Sequence, residues 1–108
     1  MPFFSEHRRF IAVHAGLDED AGEHWKLGTD PVEMIEKYPP SLGAHTVGKL
    51  IVAGHVGTRG MHRDGSDDPY MDEGHLYLDG SPENGGQLNI AEYDVTNDHW
   101  TFHVVTPA

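Results

Sequence analysis

Arg9-Phe10-Ile11-Ala12-Val13, ending at His14-Ala15-Gly16, and Lys49-Leu50-Ile51-Val52-Ala53, ending at Gly54-His55, are the stretches that decide the fold. Each is short, apolar and rich in β-branched residues, and each stops at glycine beside histidine, which predicts a strand running into a loop. Unbroken apolar runs, with no polar residue at alternate positions, belong to strands covered on both faces, as in layered α/β architectures.

Between the two runs, Asp30-Pro31-Val32-Glu33 reads as a helix start, with Asp30 as N-cap, Pro31 in the first helical position and Glu33 placed to complete a capping box. Tyr38-Pro39-Pro40 closes it, leaving about two turns with a narrow apolar face of Val32 and Ile35 beside Glu36. The last third changes character. His75–Leu78, Gln87–Asp94 and His99–Val105 are strand-like and separated by turn-rich segments, which predicts an antiparallel meander with Leu88, Ile90 and Tyr93 on one face. Trp100, Phe102 and Val104 mark the expected buried face of the last strand. Gly57–Glu73 is polar, carries Arg59, Arg63 and five acidic residues, and reads as a long mobile loop. No repeat or linker interrupts residues 1–108, so one domain is expected, with an α+β fold built on a mixed, largely antiparallel sheet and one or two short helices.

Composition excludes several functions. Seven basic against 18 acidic residues give a formal net charge of −11, which repels phosphate backbones and anionic membranes, so nucleic acid and membrane surfaces are not expected partners. With no cysteine there are no disulfides, thiolate metal sites or cysteine nucleophiles, and any metal must be held by histidine and carboxylate. No apolar run reaches membrane-spanning length and the amino terminus lacks a signal-peptide pattern, so a cytoplasmic location is expected. Nine histidines mean that the negative charge shrinks as pH falls toward 6. Among them His14 and His55 stand out, because imidazoles at the ends of neighbouring strands, flanked by small residues, leave room for a metal ion.

Phe10–Gly22 (FIAVHAGLDEDAG), Lys49–Thr58 (KLIVAGHVGT), and then HLYLDGS and LNIAEYDV near the end together resemble the C-terminal half of a calcineurin-like metallophosphoesterase. That family includes bacterial serine/threonine protein phosphatases. The resemblance implies that His14 and His55 both ligate one ion of a dinuclear centre of divalent Mn, Fe or Zn. It also implies hydrolysis of a phosphorylated protein or a small phosphorylated metabolite, and half of an α/β/β/α sandwich. Two ions a few ångströms apart polarise a phosphoryl oxygen and lower the pKa of a bridging water. His75, at the start of the third strand, is a possible additional ligand, as is His62. Arg59 and Arg63 are either phosphate contacts or local salt-bridge partners of their acidic loop. Asp18-Glu19-Asp20 is a solvated acidic loop or a support for His14. His24, His45, His99 and His103 read as surface or strand-face residues.

The family's GDxH, GDxxDRG and GNHE motifs, which supply the remaining ligands and the acid/base histidine, are absent from this sequence. Gly57 also removes the GHxH form, which points to the protein-phosphatase-like branch. The isolated chain is therefore expected to be inactive as a phosphatase, with no catalytic residue of its own beyond the two metal ligands. The rival expectation is a non-catalytic acidic binding or assembly module that keeps half of the fold. A third is a small metal-binding protein using its nine histidines. Half a sandwich exposes apolar surface and an unpaired strand edge, so a homo-oligomer is expected.

Overall fold

The computed structural model describes residues 4–106, and the ends of the expected 1–108 domain lie outside them. Strand β1 (Phe4–Glu6) runs antiparallel to β2 (Phe10–Val13), which carries the first decisive run. After helices α1 (Trp25–Gly28) and α2 (Pro31–Glu36), the second run forms β3 (Leu50–Ala53), parallel to β2 with Phe10 opposite Leu50 and Ala12 opposite Val52. The short β4 (Tyr70–Met71) pairs antiparallel with β5 (His75–Tyr77), and β5 lies parallel to β3 with Ile51 opposite His75. The sheet order is β1-β2-β3-β5-β4. A separate antiparallel hairpin joins β6 (Leu88–Asp94) to β7 (His99–Val105). The fold is thus the expected mixed α+β class, with a parallel centre and antiparallel edges and hairpin.

Pleating explains why the central runs are continuously apolar. Ile11, Val13, Ile51, Ala53 and Tyr77 share one face, which the β2–β3 crossover covers with Leu17, Trp25, Met34 and Val47. The opposite face takes the hairpin, where the Phe10 ring packs edge-on against Tyr93 at 5.2 Å and Trp100 at 5.1 Å. The N-cap of α2 is as read, with Asp30 Oδ1 accepting the Glu33 N–H at 2.9 Å behind Pro31, but among the described residues the Glu33 carboxylate accepts no bond from the Asp30 N–H, so only half of the capping box forms at the start of this helix. Its inward residue, however, is Met34, while Val32 and Ile35 face outward. The Met34 carbonyl accepts the Ala15 N–H at 2.8 Å, and this contact turns that side of the helix to the end of β2.

Three other expectations are corrected. The last three strands are not one meander: β5 joins the large sheet in parallel, and only β6 and β7 pair with each other. The inward residue at the start of β6 is Asn89, with Leu88 and Ile90 exposed, and Phe102 and Val104 of β7 remain largely open. The segment Gly57–Glu73 is not a free loop. It holds a 3₁₀ turn at Thr58–Gly60, strand β4, and a bidentate pair in which the Arg59 guanidinium donates to Asp67 at 2.8 and 3.0 Å.

Ile51 is 1% exposed in the middle strand. Ile51→Ala is expected to lower unfolding stability by about 2–5 kcal/mol through the cavity it leaves. Asp30→Ala, which removes only a cap, should cost about 1 kcal/mol. Urea unfolding of the two variants checks the order, and equal losses would contradict this account of the core.

Candidate metal site and the cleft at the strand ends

The three parallel strands end at one level. The Gly54 N–H donates to the His14 carbonyl at 2.9 Å and the Leu78 N–H to the Ala53 carbonyl at 3.0 Å, which extends the ladder past β2, β3 and β5. Their next side chains are His14, His55 and Asp79, and these line a cleft of about 470 Å³ with Glu83, Gln87 and Asn89. Crevices beyond the carboxyl ends of parallel strands are where open α/β sheets bind ligands. Clefts of about 530 and 590 Å³ lie elsewhere, one around His45, Lys49 and Trp100 and one around Glu19, Glu33 and Tyr38. The first lies at the amino-terminal ends of the parallel strands, where Phe10, Leu50 and Gly74 line it, and the second lies beside helix α2.

The sheet brings together the two histidines singled out from the sequence. The His14 and His55 ring centroids are 5.1 Å apart, with the planes inclined by 57°. Both side chains are exposed, and among the described residues neither ring makes a hydrogen bond, so their nitrogens are open to a cation. His55 has φ of 70°, a left-handed backbone that is uncommon for a residue with a Cβ. The donor set fits a divalent transition metal in kind, since imidazole and carboxylate suit Mn, Fe and Zn. It falls short in number: among the described residues no third histidine or carboxylate approaches His14 and His55 closely enough to complete a ligand cluster. Asp79 shares the cleft but is turned to its own loop, its Oδ1 accepting the Ser81 N–H at 2.8 Å.

The other candidates lie away from the cleft. Arg59 is committed to Asp67, and this contact holds the Asp67 carboxyl below its ordinary value and raises that of Arg59. Its salt-bridge reading therefore replaces the phosphate contact. His62 bonds the Asp68 carbonyl at 2.9 Å within the same segment. His75 is fully buried at the opposite, amino-terminal end of β5, where its two ring nitrogens bond Asp72 at 2.9 Å and Glu19 at 2.7 Å. It joins no site with His14 and His55. Two readings change with it: Glu19 is a partner of His75 and not part of a solvated loop, and His45 is half-buried against His75 at 5.1 Å and not a surface residue. His24, His99 and His103 are exposed as expected.

Asn89, missed in the sequence, ties the hairpin to the sheet. Its side-chain N–H groups donate to the Leu78 carbonyl at 3.0 Å and the Asp67 carbonyl at 2.8 Å, and its Oδ1 accepts from Gln87 at 2.8 Å. The one available signal was a buried-strand pattern broken by a residue able both to donate and to accept. Comparison with protein-family models, with curated proteins and with solved structures finds no match for this chain.

Asn89→Asp removes both donors and leaves two carbonyls facing a carboxylate. It is expected to cost at least about 1–3 kcal/mol, read as a lower melting temperature, whereas Leu88→Ala on the exposed neighbour should change little. If the two variants melt together, Asn89 does not anchor the hairpin.

Proposed function

We propose that this chain contributes His14 and His55 to the metal centre of a metal-dependent phosphoester hydrolase, of the kind represented by calcineurin-like serine/threonine protein phosphatases. The observation that carries the reading is the convergence of the two imidazoles, 5.1 Å apart, at the carboxyl ends of adjacent parallel strands. Strained backbone at His55 and the cleft they share support it. A divalent ion there would act as a Lewis acid on a phosphoryl oxygen and activate a water molecule. The role of this chain is to present two imidazoles from the ends of adjacent parallel strands.

Among the described residues no further ligand joins His14 and His55, so on this reading the centre is completed by other residues. The substrate is a phosphorylated protein or a small phosphorylated metabolite. Among the described residues no helix is long and apolar enough to cross a membrane. The test uses Mn²⁺ and a model phosphomonoester. The chain alone should be inactive, the chain joined to the coding sequence upstream of it should turn over, and His14→Ala or His55→Ala should abolish that turnover. An active short chain would sink the incompleteness, and an extended chain indifferent to both substitutions would sink the assignment.

A second reading, an assembly module without chemistry of its own, is favoured by the hairpin. Phe102 and Val104, on the hairpin face they share with Trp100 and Asn89, are 38% and 44% exposed and leave apolar surface open there. Self-association through this surface is expected in either reading. Sedimentation over a tenfold concentration range should show a dimer or larger species, and Phe102→Asp should shift it to monomer; a wild-type monomer throughout contradicts it.

A further inference from the structure

We infer that His75 is a buried imidazolium latching the segment after β2 onto the amino-terminal end of β5, and that this latch holds at neutral pH and releases in alkaline solution. The ring is inaccessible to solvent, with Nδ1 2.9 Å from Asp72 Oδ1 and Nε2 2.7 Å from Glu19 Oε2. A neutral imidazole has one N–H, so one nitrogen would turn a lone pair toward a carboxylate. Only the doubly protonated ring donates to both.

Asp72 cannot supply the missing proton without losing other bonds. Asp72 Oδ1 also accepts the Gly74 and His75 backbone N–H groups at 2.9 Å each, and Oδ2 accepts from the Gly43 N–H at 2.6 Å and the Tyr70 hydroxyl at 3.1 Å. It acts as an ionised acceptor throughout. Glu19 Oε2 has the Lys37 ammonium 3.7 Å away, which also favours the ionised form. The charged groups are therefore Glu19 from the 3₁₀ helix Glu19–His24, Asp72 from the β4–β5 turn, Lys37 after α2, and His75 itself. The remaining titratable neighbours are neutral partners. His45 bonds the Gly74 carbonyl at 2.8 Å through Nε2 and accepts the Val47 N–H at 3.1 Å on Nδ1, which one neutral tautomer satisfies. Tyr77 stacks on His75 at 5.4 Å, and burial, with Glu19 and Asp72 nearby, pushes its hydroxyl well above the ordinary value.

The ligand atoms of Glu19, His45 and His75 all lie within 4.8 Å of one another, a composition that would suit zinc. Two features assign the place to a proton instead. Both His45 nitrogens are already used, and Lys37 adds a second positive charge beside Glu19.

The sign of the pH dependence follows from the partners. Burial alone would lower the His75 pKa, but Glu19 and Asp72 more than offset it and the net shift is upward. Its stabilisation is full below the ordinary imidazole value and is lost as pH rises through the raised one. Burial alone would raise Glu19 and Asp72; the His75 contacts, the Gly43 and Gly74 amides at Asp72 and Lys37 beside Glu19 bring both down. Their stabilisation is present above the ordinary carboxylate values and fails as pH falls through the lowered ones. The latch is intact between these limits, and above them Glu19 and the turn leading into Trp25 lose their hold on the sheet.

The test is ¹⁵N NMR of the histidine rings in the full chain. One buried ring should keep both N–H protons well above pH 6.5, the ordinary value for about half protonation, and the backbone amides of Glu19–Trp25 should shift with the same midpoint. Glu19→Gln should remove the Nε2 proton at neutral pH and leave those amides insensitive to its titration, while the fold persists because a glutamine amide can donate to a neutral Nε2. A His75 ring with one proton at pH 6, an amide response that survives in Glu19→Gln, or displacement of the Nε2 proton by added Zn²⁺ at neutral pH would each overturn the proposal.

Discussion

Parallel pairing among three very short strands constrains everything else in this structure. Strands β2, β3 and β5 have four, four and three residues, and neighbours in a parallel set cannot be joined by a tight turn. Each connection must leave at the carboxyl end and return to the amino end. The β2–β3 crossover therefore covers one face of the sheet, and the hairpin covers the other. The same rule sorts chemistry by end. His14, His55 and Asp79 are gathered where the strands exit, and Asp72, Gly74 and His75 where β5 begins.

The strand cores were legible because continuous burial leaves a compositional mark that needs no knowledge of partners. Phe10–Val13 and Leu50–Ala53 carry it over nearly their full length, and the cap of α2 is legible for a similar reason: Asp30 and Pro31 act on their own neighbours. What was illegible depends on distant groups. His75-Leu76-Tyr77 gives no sign of strand direction, and its place beside β3 is set by burial of Leu76 and Tyr77. The facing of β6 was misread because apolarity nominated Leu88 and Ile90, whereas the position nearest the sheet is decided by carbonyls of Leu78 and Asp67 that need a donor.

The candidate site divides in the same way. His14 and His55 could be singled out because glycine beside a histidine at a strand end is a local pattern, and adjacent strands then brought them together. The Asp72–His75–Glu19 chain could not, since Glu19 and His75 are 56 residues apart and their contact exists only after the crossover has folded. A buried histidine flanked by one local carboxylate is an ambiguous signal. The second carboxylate resolves it, because two acceptors demand two ring protons.

The charge of −11 acquires a structural meaning from the loops. With short strands and little helix, many backbone N–H groups fall outside ladders and need another acceptor. Six aspartates meet that need two or three residues along the chain: Asp18, Asp30, Asp64, Asp72, Asp79 and Asp94. Asp94 is held below its ordinary value, with its contacts to Asn97 the leading cause. Such turns favour aspartate because a short carboxylate reaches its own backbone. A third of the 18 acidic residues therefore reflects how this chain terminates its segments. The carboxylates at the strand-end cleft are a smaller set, where Glu83 lines the wall and Asp79 spends one oxygen on Ser81.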